Sequence, residues 1–169
     1  ITATSKTINY GDAVGTLAYT VTAGSFVGNE TATGALTTSP APAVNVSQYS
    51  IVQGTLNVSG NYLLSFVPGT LTIQQVNLTT KGGIYYIQEG SATPTSFAFT
   101  YQGLKYSDKA GTPQDYVPLP TGTLAAGSYT VTPRNTTVLS GTNQTVTNNY
   151  NRLYEAGTLY VNPAGPGTK

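Results

Sequence analysis

The chain has 169 residues, a formal net charge of +1 and only 8% charged residues, about a third of the usual share. It contains no cysteine and no histidine, so disulfide staples and the usual tetrahedral metal ligands are missing, as are the commonest general base and the strongest common nucleophile. So few lysines and arginines offer nucleic acid no basic stripe, and no apolar run approaches the ~18 residues of a membrane-spanning helix.

Thr, Val, Tyr, Gly, Asn and Ser dominate the composition, a vocabulary of strands and turns, so the expected fold is mostly β. In "GTLAYTVT", 15 to 22, Leu17, Tyr19 and Val21 alternate with Ala18, Thr20 and Thr22, which predicts a strand with one buried side. "FVGNETATGAL", 26 to 36, predicts one short helix with Asn29 as its N-cap. "TTSPAPAVN", 37 to 45, is punctuated by proline and predicts a loop. "NYLLSFVPGTLTI", 61 to 73, predicts a hairpin. Its first strand runs through Tyr62, Leu64 and Phe66, its turn is at Pro68 and Gly69, and Leu71 and Ile73 face inward on the second strand.

That stretch returns near the end of the chain as "NYNRLYEAGTLYV", 149 to 161, with Asn61, Tyr62, Gly69, Thr70 and Leu71 matched 88 positions later. Upstream, "LAYTV" at 17 meets "FAFTY" at 97 and "SQYSI" at 47 meets "GSYTV" at 127, both displaced by 80, and "TSK" at 4 meets "TTK" at 79, displaced by 75. The chain is therefore expected to hold two tandem modules, residues 1–75 and 76–162, with 163–169 a linker or tail. The growing displacement predicts insertions of five and eight residues in the second copy, the larger within "TPRNTTVLSGTNQTVTN", 132 to 148, an extended loop or hairpin. "LTIQQVNLTTK", 71 to 81, crosses the junction without Gly or Pro, so coupling end to end with limited bending is expected.

The first copy resembles MBG-type modules, the β-grasp-like repeats found in tandem in very large bacterial surface adhesins and filamentous-haemagglutinin-like exoproteins. The marks are Tyr10-Gly11, Tyr49-Ser50-Ile51, Asn61-Tyr62 and Gly69 through Ile73. Gly15 stands where the family usually has proline. The second copy keeps Pro94, Tyr129, Asn149-Tyr150 and Gly157-Thr158-Leu159, but replaces the "YG" start with "IYYIQEG". The resemblance implies two small mixed sheets with at most one short helix each, the alternative being immunoglobulin-like sandwiches. It also implies an extracellular life at the bacterial surface and no catalytic residues.

The residues give the same picture of the chemistry. Asp12, Glu30, Glu89, Asp108, Asp115 and Glu155 fall in predicted turns or loop edges, where solvated surface is expected rather than a catalytic pair. "YSDKAGTPQDY", 106 to 116, lacks the spacing of a calcium loop. No catalytic, cofactor or metal site is expected. Of thirteen tyrosines, Tyr85, Tyr86, Tyr101, Tyr106 and Tyr116 crowd the first half of copy two and are the candidate ligand-binding residues; the competing reading is that they fill strand positions. Arg152, aligned with Leu64, is expected to face solvent or pair with Glu155. Lys6 and Lys81 align under the 75-residue displacement, and no crosslink is expected at either. The Asn-x-Ser/Thr triplets at Asn29, Asn45, Asn57, Asn77, Asn135 and Asn143 follow from composition.

Two functions are expected to compete. The first is a non-catalytic stalk or spacer that presents a distal adhesive region; its partners are the neighbouring modules of the same chain, and it is a monomer that touches neither nucleic acid nor membrane. The second is a glycan- or host-protein-binding module using the Tyr-rich surface of the second copy.

Overall fold

The computed structural model describes residues 1–113, 115–116 and 119–165, with the backbone alone at 115–116. The chain divides into two compact units, Ile1–Gln75 and Val76–Lys169, and both are mostly β, in small mixed sheets.

In the first unit the strands are β1 (Thr2–Ala3), β2 (Lys6–Asn9), β3 (Tyr19–Thr20), β4 (Thr37–Ser39), β5 (Ser47–Val52) and β6 (Gly69–Gln74). The main sheet has the order β2-β6-β5-β4, and β1 pairs with β3 in a small antiparallel ribbon. β2 runs parallel to β6, with Lys6 beside Leu71 and Asn9 beside Gln74, whereas β5 and β4 are antiparallel to their neighbours. The module's first ten residues therefore run beside 65–74 in the same direction. The Ile1 ammonium donates to Ser65 O, Val67 N to Ile1 O, Ala3 N to Val67 O and Tyr10 N to Gln74 O. Alternation along β5 and β6 sends Tyr49, Ile51, Leu71 and Ile73 into the core with Leu36 and Leu56. Leu71 and Ile51 are completely enclosed, and burial of such a side chain contributes about 1.5–3 kcal/mol.

The second unit holds β7 (Val76–Gly82), β8 (Ile84–Gln88), β9 (Phe99–Gln102), β10 (Lys109–Ala110), β11 (Asp115–Tyr116), β12 (Gly127–Val131), β13 (Pro133–Arg134), β14 (Val138–Leu139), a single 3-10 turn at Thr147–Asn149, β15 (Tyr150–Glu155) and β16 (Gly157–Asn162). Two three-stranded sheets, β12-β16-β8 and β15-β7-β9, carry the pairing, and the ribbons β10-β14 and β11-β13 supplement them. Its core gathers Phe97, Leu124, Val131, Leu159 and Val161, with Tyr85, Ile87, Phe99 and Tyr129 packed against them.

The two units share one pairing scheme. β16 lies between β8, parallel, and β12, antiparallel, as β6 lies between β2 and β5. Tyr85 stands beside Leu159 as Lys6 stands beside Leu71, and Ile87 beside Val161 as Ile8 beside Ile73. Lys81 sits beside Glu155 as Thr2 bridges Val67, and Gly82 faces Phe99 as Ala3 faces Tyr19. The N-terminal displacement is thus 79 residues, carrying Gly11 (φ 94°) onto Gly90 (φ 83°), and not 75. Lys81 corresponds to Thr2, so the two lysines are not equivalent. Short "TSK" and "TTK" strings matched in composition, whereas hydrogen bonding fixes the register.

Three further expectations give way. The repeated "GTL" segment does not close a hairpin: residues 62–66 form no strand, and β15 and β16 lie in different sheets. Gly69 is absent from the left-handed region a Pro-Gly turn would require. The glycine serves a crossing instead. Chain 82–83 and chain 156–157 step together from one sheet to the other, and a Cβ on Gly157 would overlap Gly83 O, while one on Gly69 would lie 2.8 Å from Ala3 O. Only glycine lets backbones approach so closely.

The helix over 26–36 is also missing; among the described residues no α-helix occurs. Val27 to Glu30 is a tight turn with Gly28 at φ 61°, and Thr33 bridges Asn57 antiparallel. Asn29 sits inside that turn, so it caps nothing. The loop over 37–45 begins only at Pro40, because Thr37–Ser39 pairs with β5. Gly15 has φ 61°, a conformation closed to proline, so its turn differs from one built on proline. The four parallel pairings also separate both units from the two antiparallel sheets of an immunoglobulin sandwich.

Candidate functional site: the tyrosines and the outer face of the second unit

Most repeated residues hold the units together. Tyr49 donates its hydroxyl to Asn45 O and Tyr129 donates to Ala125 O, the same bond to the fourth residue back in each copy. The tyrosine of each Asn-Tyr pair fastens a tight turn. Tyr62 Oη accepts Val27 N–H at 2.8 Å, and its hydrogen bond to the Glu30 carboxylate holds the phenol pKa above its ordinary value. Tyr150 Oη accepts Lys105 N–H at 2.9 Å and donates to Asp108 Oδ2 at 2.6 Å. In both turns the fourth N–H returns to the first carbonyl, Glu30 to Val27 and Asp108 to Lys105, and the second residue has positive φ, Gly28 and Tyr106.

The carboxylates are therefore less uniform than solvated loop residues would be. Asp108 is buried at 8% exposure, because a charge-assisted bond from a core tyrosine replaces its water. Neither turn was legible in the sequence: 26–36 read as a helix, and the second turn carries Tyr rather than Gly at its left-handed position. Glu89 holds the backbone N–H groups of Ala126 and Ala164, and Asp12 Oδ2 accepts Asn9 N–H. Glu155 pairs with Lys81 at 2.8 Å, both well exposed. Arg152 is exposed, and its guanidinium donates to Thr136 O. Asp115 falls in β11, and its side chain lies outside the described residues. Among the described residues, no three acidic, histidine or cysteine side chains gather as a metal site.

The four candidate tyrosines whose side chains are described do not converge. Tyr85 points inward from β8, rests against Phe97 with ring centroids 4.8 Å apart, and hydrogen-bonds Gly83 N and Ala98 O. Tyr101 donates to Gly111 O at 3.0 Å, and burial raises its pKa. Tyr106, 63% exposed, stands at the tip of its turn with φ 51°, a conformation bulky residues rarely adopt. Tyr116 belongs to β11, with its side chain outside the described residues. Tyr86 faces outward from its sheet. It is 66% exposed on the outer face of β8 and stacks on Tyr160 of β16, with centroids 5.5 Å apart and planes 20° from parallel. Tyr160 was not singled out in the sequence, since only the parallel register of β8 and β16 sets it beside Tyr86.

In the first unit residues of the 14–19 and 34–43 stretches, among them Val14, Leu17, Ala35, Thr37 and Pro42, line an open cleft of about 720 Å³. Tyr19 is on its lining, and among the described residues no Asp, Glu, Lys or Arg is. Among the described residues no helix is long and apolar enough to cross a membrane.

Residues 1–72 match the family model described as MBG domain (YGX type). Within the matched residues the Tyr-Gly dipeptide falls at Tyr10-Gly11, where Tyr10 is buried at 2% exposure and Gly11 takes φ 94°. No curated protein and no solved structure matches the chain.

Proposed function

With residues 1–72 forming an MBG domain of the YGX type, we propose that the chain is a pair of spacer modules from a bacterial surface or secreted adhesin, extending a distal adhesive region from the cell. The family points to a repeat module of surface proteins, and the absence of cysteine suits export without dependence on an oxidase. The role is mechanical and needs no catalysis, cofactor or metal.

One observation carries the reading: in both units the entering and leaving segments are neighbours and run parallel. Residues 1–10 lie along 65–74, and 76–88 lie along 150–162. Tension on the chain ends pulls such strands past each other along their length. The interstrand hydrogen bonds, evenly spaced in a parallel pair, then break together rather than one after another. A spacer that meets flow or host tissue needs that resistance. Tandem repetition adds length without new chemistry.

Pulling the full chain by its two ends in a force spectrometer tests this. The expected trace has two separate events releasing roughly 25 and 30 nm, from about 3.3–3.6 Å per residue. Gradual extension without force peaks would contradict the reading.

A further inference from the structure

The face that distinguishes the second unit is the outer side of sheet β12-β16-β8. Where the repeats agree, the shared residues are structural: the turn-fastening Tyr62 and Tyr150, the crossing Gly69 and Gly157, and the core Leu71 and Leu159. The outer face shows the opposite behaviour. Tyr86 beside Tyr160 occupies the position where the first unit pairs Thr7 with Thr72. The fold therefore works with threonine at both sites, and the aromatic pair is not a requirement of packing. Ile84, next along β8, is 65% exposed, which enlarges the apolar surface beyond what stability needs.

The chemistry of this surface is specific. Ser128, Tyr160 and Tyr86 form one row across three strands in register. Tyr160 stacks on Tyr86 with one ring face, which leaves the other above the small Ser128. Beside this shelf stand the Thr130 and Thr158 hydroxyls, partners across β12 and β16, and at the strand ends the amides of Gln88 and Asn162. Lys, Arg, Asp and Glu are all missing from the outward positions of these three strands. An aromatic face carries negative charge density and attracts the weakly positive C–H groups on one side of a sugar ring, while hydroxyls and amides exchange hydrogen bonds with its hydroxyl groups. The matching ligand is uncharged, rich in hydroxyls and flat on one side. Phosphate and acidic sugars would find no counter-charge here.

We infer that the outer face of β12-β16-β8 binds a neutral polysaccharide, with a pyranose ring stacked on Tyr160 above Ser128 and the chain continuing over Tyr86 and Ile84. The site would let the second unit hold glycan along the spacer. It does not rest on the spacer reading, since binding and resistance to force are measured separately.

Affinity electrophoresis of the full chain tests it, in gels containing a soluble neutral glucan, a neutral galactan or the acidic polymer polygalacturonate. Retardation in at least one neutral gel is expected, with none in the acidic gel. Tyr160→Ala should weaken it at least tenfold, Tyr160→Phe should retain it, and Thr72→Ala in the first unit should leave it unchanged. Circular dichroism checks that the variants stay folded; Tyr86→Ala, on the edge strand, provides a second variant. Absence of retardation in both neutral gels, retardation only by the acid, or binding that survives loss of both rings would overturn the proposal. So would a concentration-dependent dimer, seen by sedimentation, that Tyr160→Ala disperses, because the face would then belong to a second copy of the chain.

Discussion

The two units differ most where their terminal strands run together. In the first, the parallel seam is β2 on β6 plus one bridge between Thr2 and Val67. In the second, it has two full segments, β7 on β15 and β8 on β16, from Val76 beside Tyr150 to Gln88 beside Asn162. The longer seam crosses from one sheet to the other at Gly82, Gly83 and Gly157. One topology can thus carry a short or a long parallel seam, and the number of ladder bonds sheared together should set which unit yields first.

That difference is easiest to break at the crossing. Gly157→Val should cost the second unit about 4 kcal/mol or more, the range of backbone overlap that cannot relax, and abolish its unfolding transition while the first unit's remains. Gly69→Val meets one carbonyl at 2.8 Å and should cost the first unit less; urea denaturation followed by tyrosine fluorescence resolves both. Next come the cores. Leu71→Ala and Leu159→Ala each empty an enclosed site and should cost about 2–5 kcal/mol, each in its own transition by calorimetry. A loss shared by both transitions would mean that the units do not melt separately.

The turn-fastening tyrosines sharpen the comparison further. Tyr150→Phe leaves the buried Asp108 without its hydroxyl donor and should cost about 1–3 kcal/mol. Tyr62→Phe releases only the Val27–Glu30 turn at the surface and should cost less than Tyr150→Phe, measured in the same melts. Smallest of all is the Lys81–Glu155 pair, at 61% and 52% side-chain exposure. Removing either partner should change stability by under about 1 kcal/mol, less again in high salt.

The sequence made the strand-rich fold legible through composition, and the doubling through the spacing of Tyr49 with Tyr129 and Leu71 with Leu159. It did not reveal the parallel seams, because alternation shows which side of a strand is buried but not which strand lies beside it. For the same reason "GTL" looked like half a hairpin, although its glycine marks a crossing between sheets. The predicted helix failed because Gly28 and Gly34 adopt left-handed conformations that a helix cannot contain. Within the 132–148 segment, expected as an extended loop or hairpin, Leu139 bridges Thr145 antiparallel and Val146 N–H returns to Val138 O, so 138–146 is a hairpin; what polar composition hid is its packing, since β13 and β14 pair with β11 and β10 and Val138 and Thr136 are completely buried. Of the outer-face aromatic pair, Tyr86 stood out in the sequence. Tyr160 did not, since the two lie 74 positions apart and only the register unites them.

An engineered crosslink in the seam tests the central claim most directly. Thr7 and Thr72 are register partners on neighbouring parallel strands, and the chain has no other cysteine, so Thr7→Cys with Thr72→Cys should form a single disulfide. Pulled by its ends when oxidised, the full chain should lose the event of roughly 25 nm and keep the one of roughly 30 nm, and reduction should restore the first. Survival of both events in the oxidised chain would contradict the account, because the terminal strands of the first unit would then not be the neighbours that tension must separate.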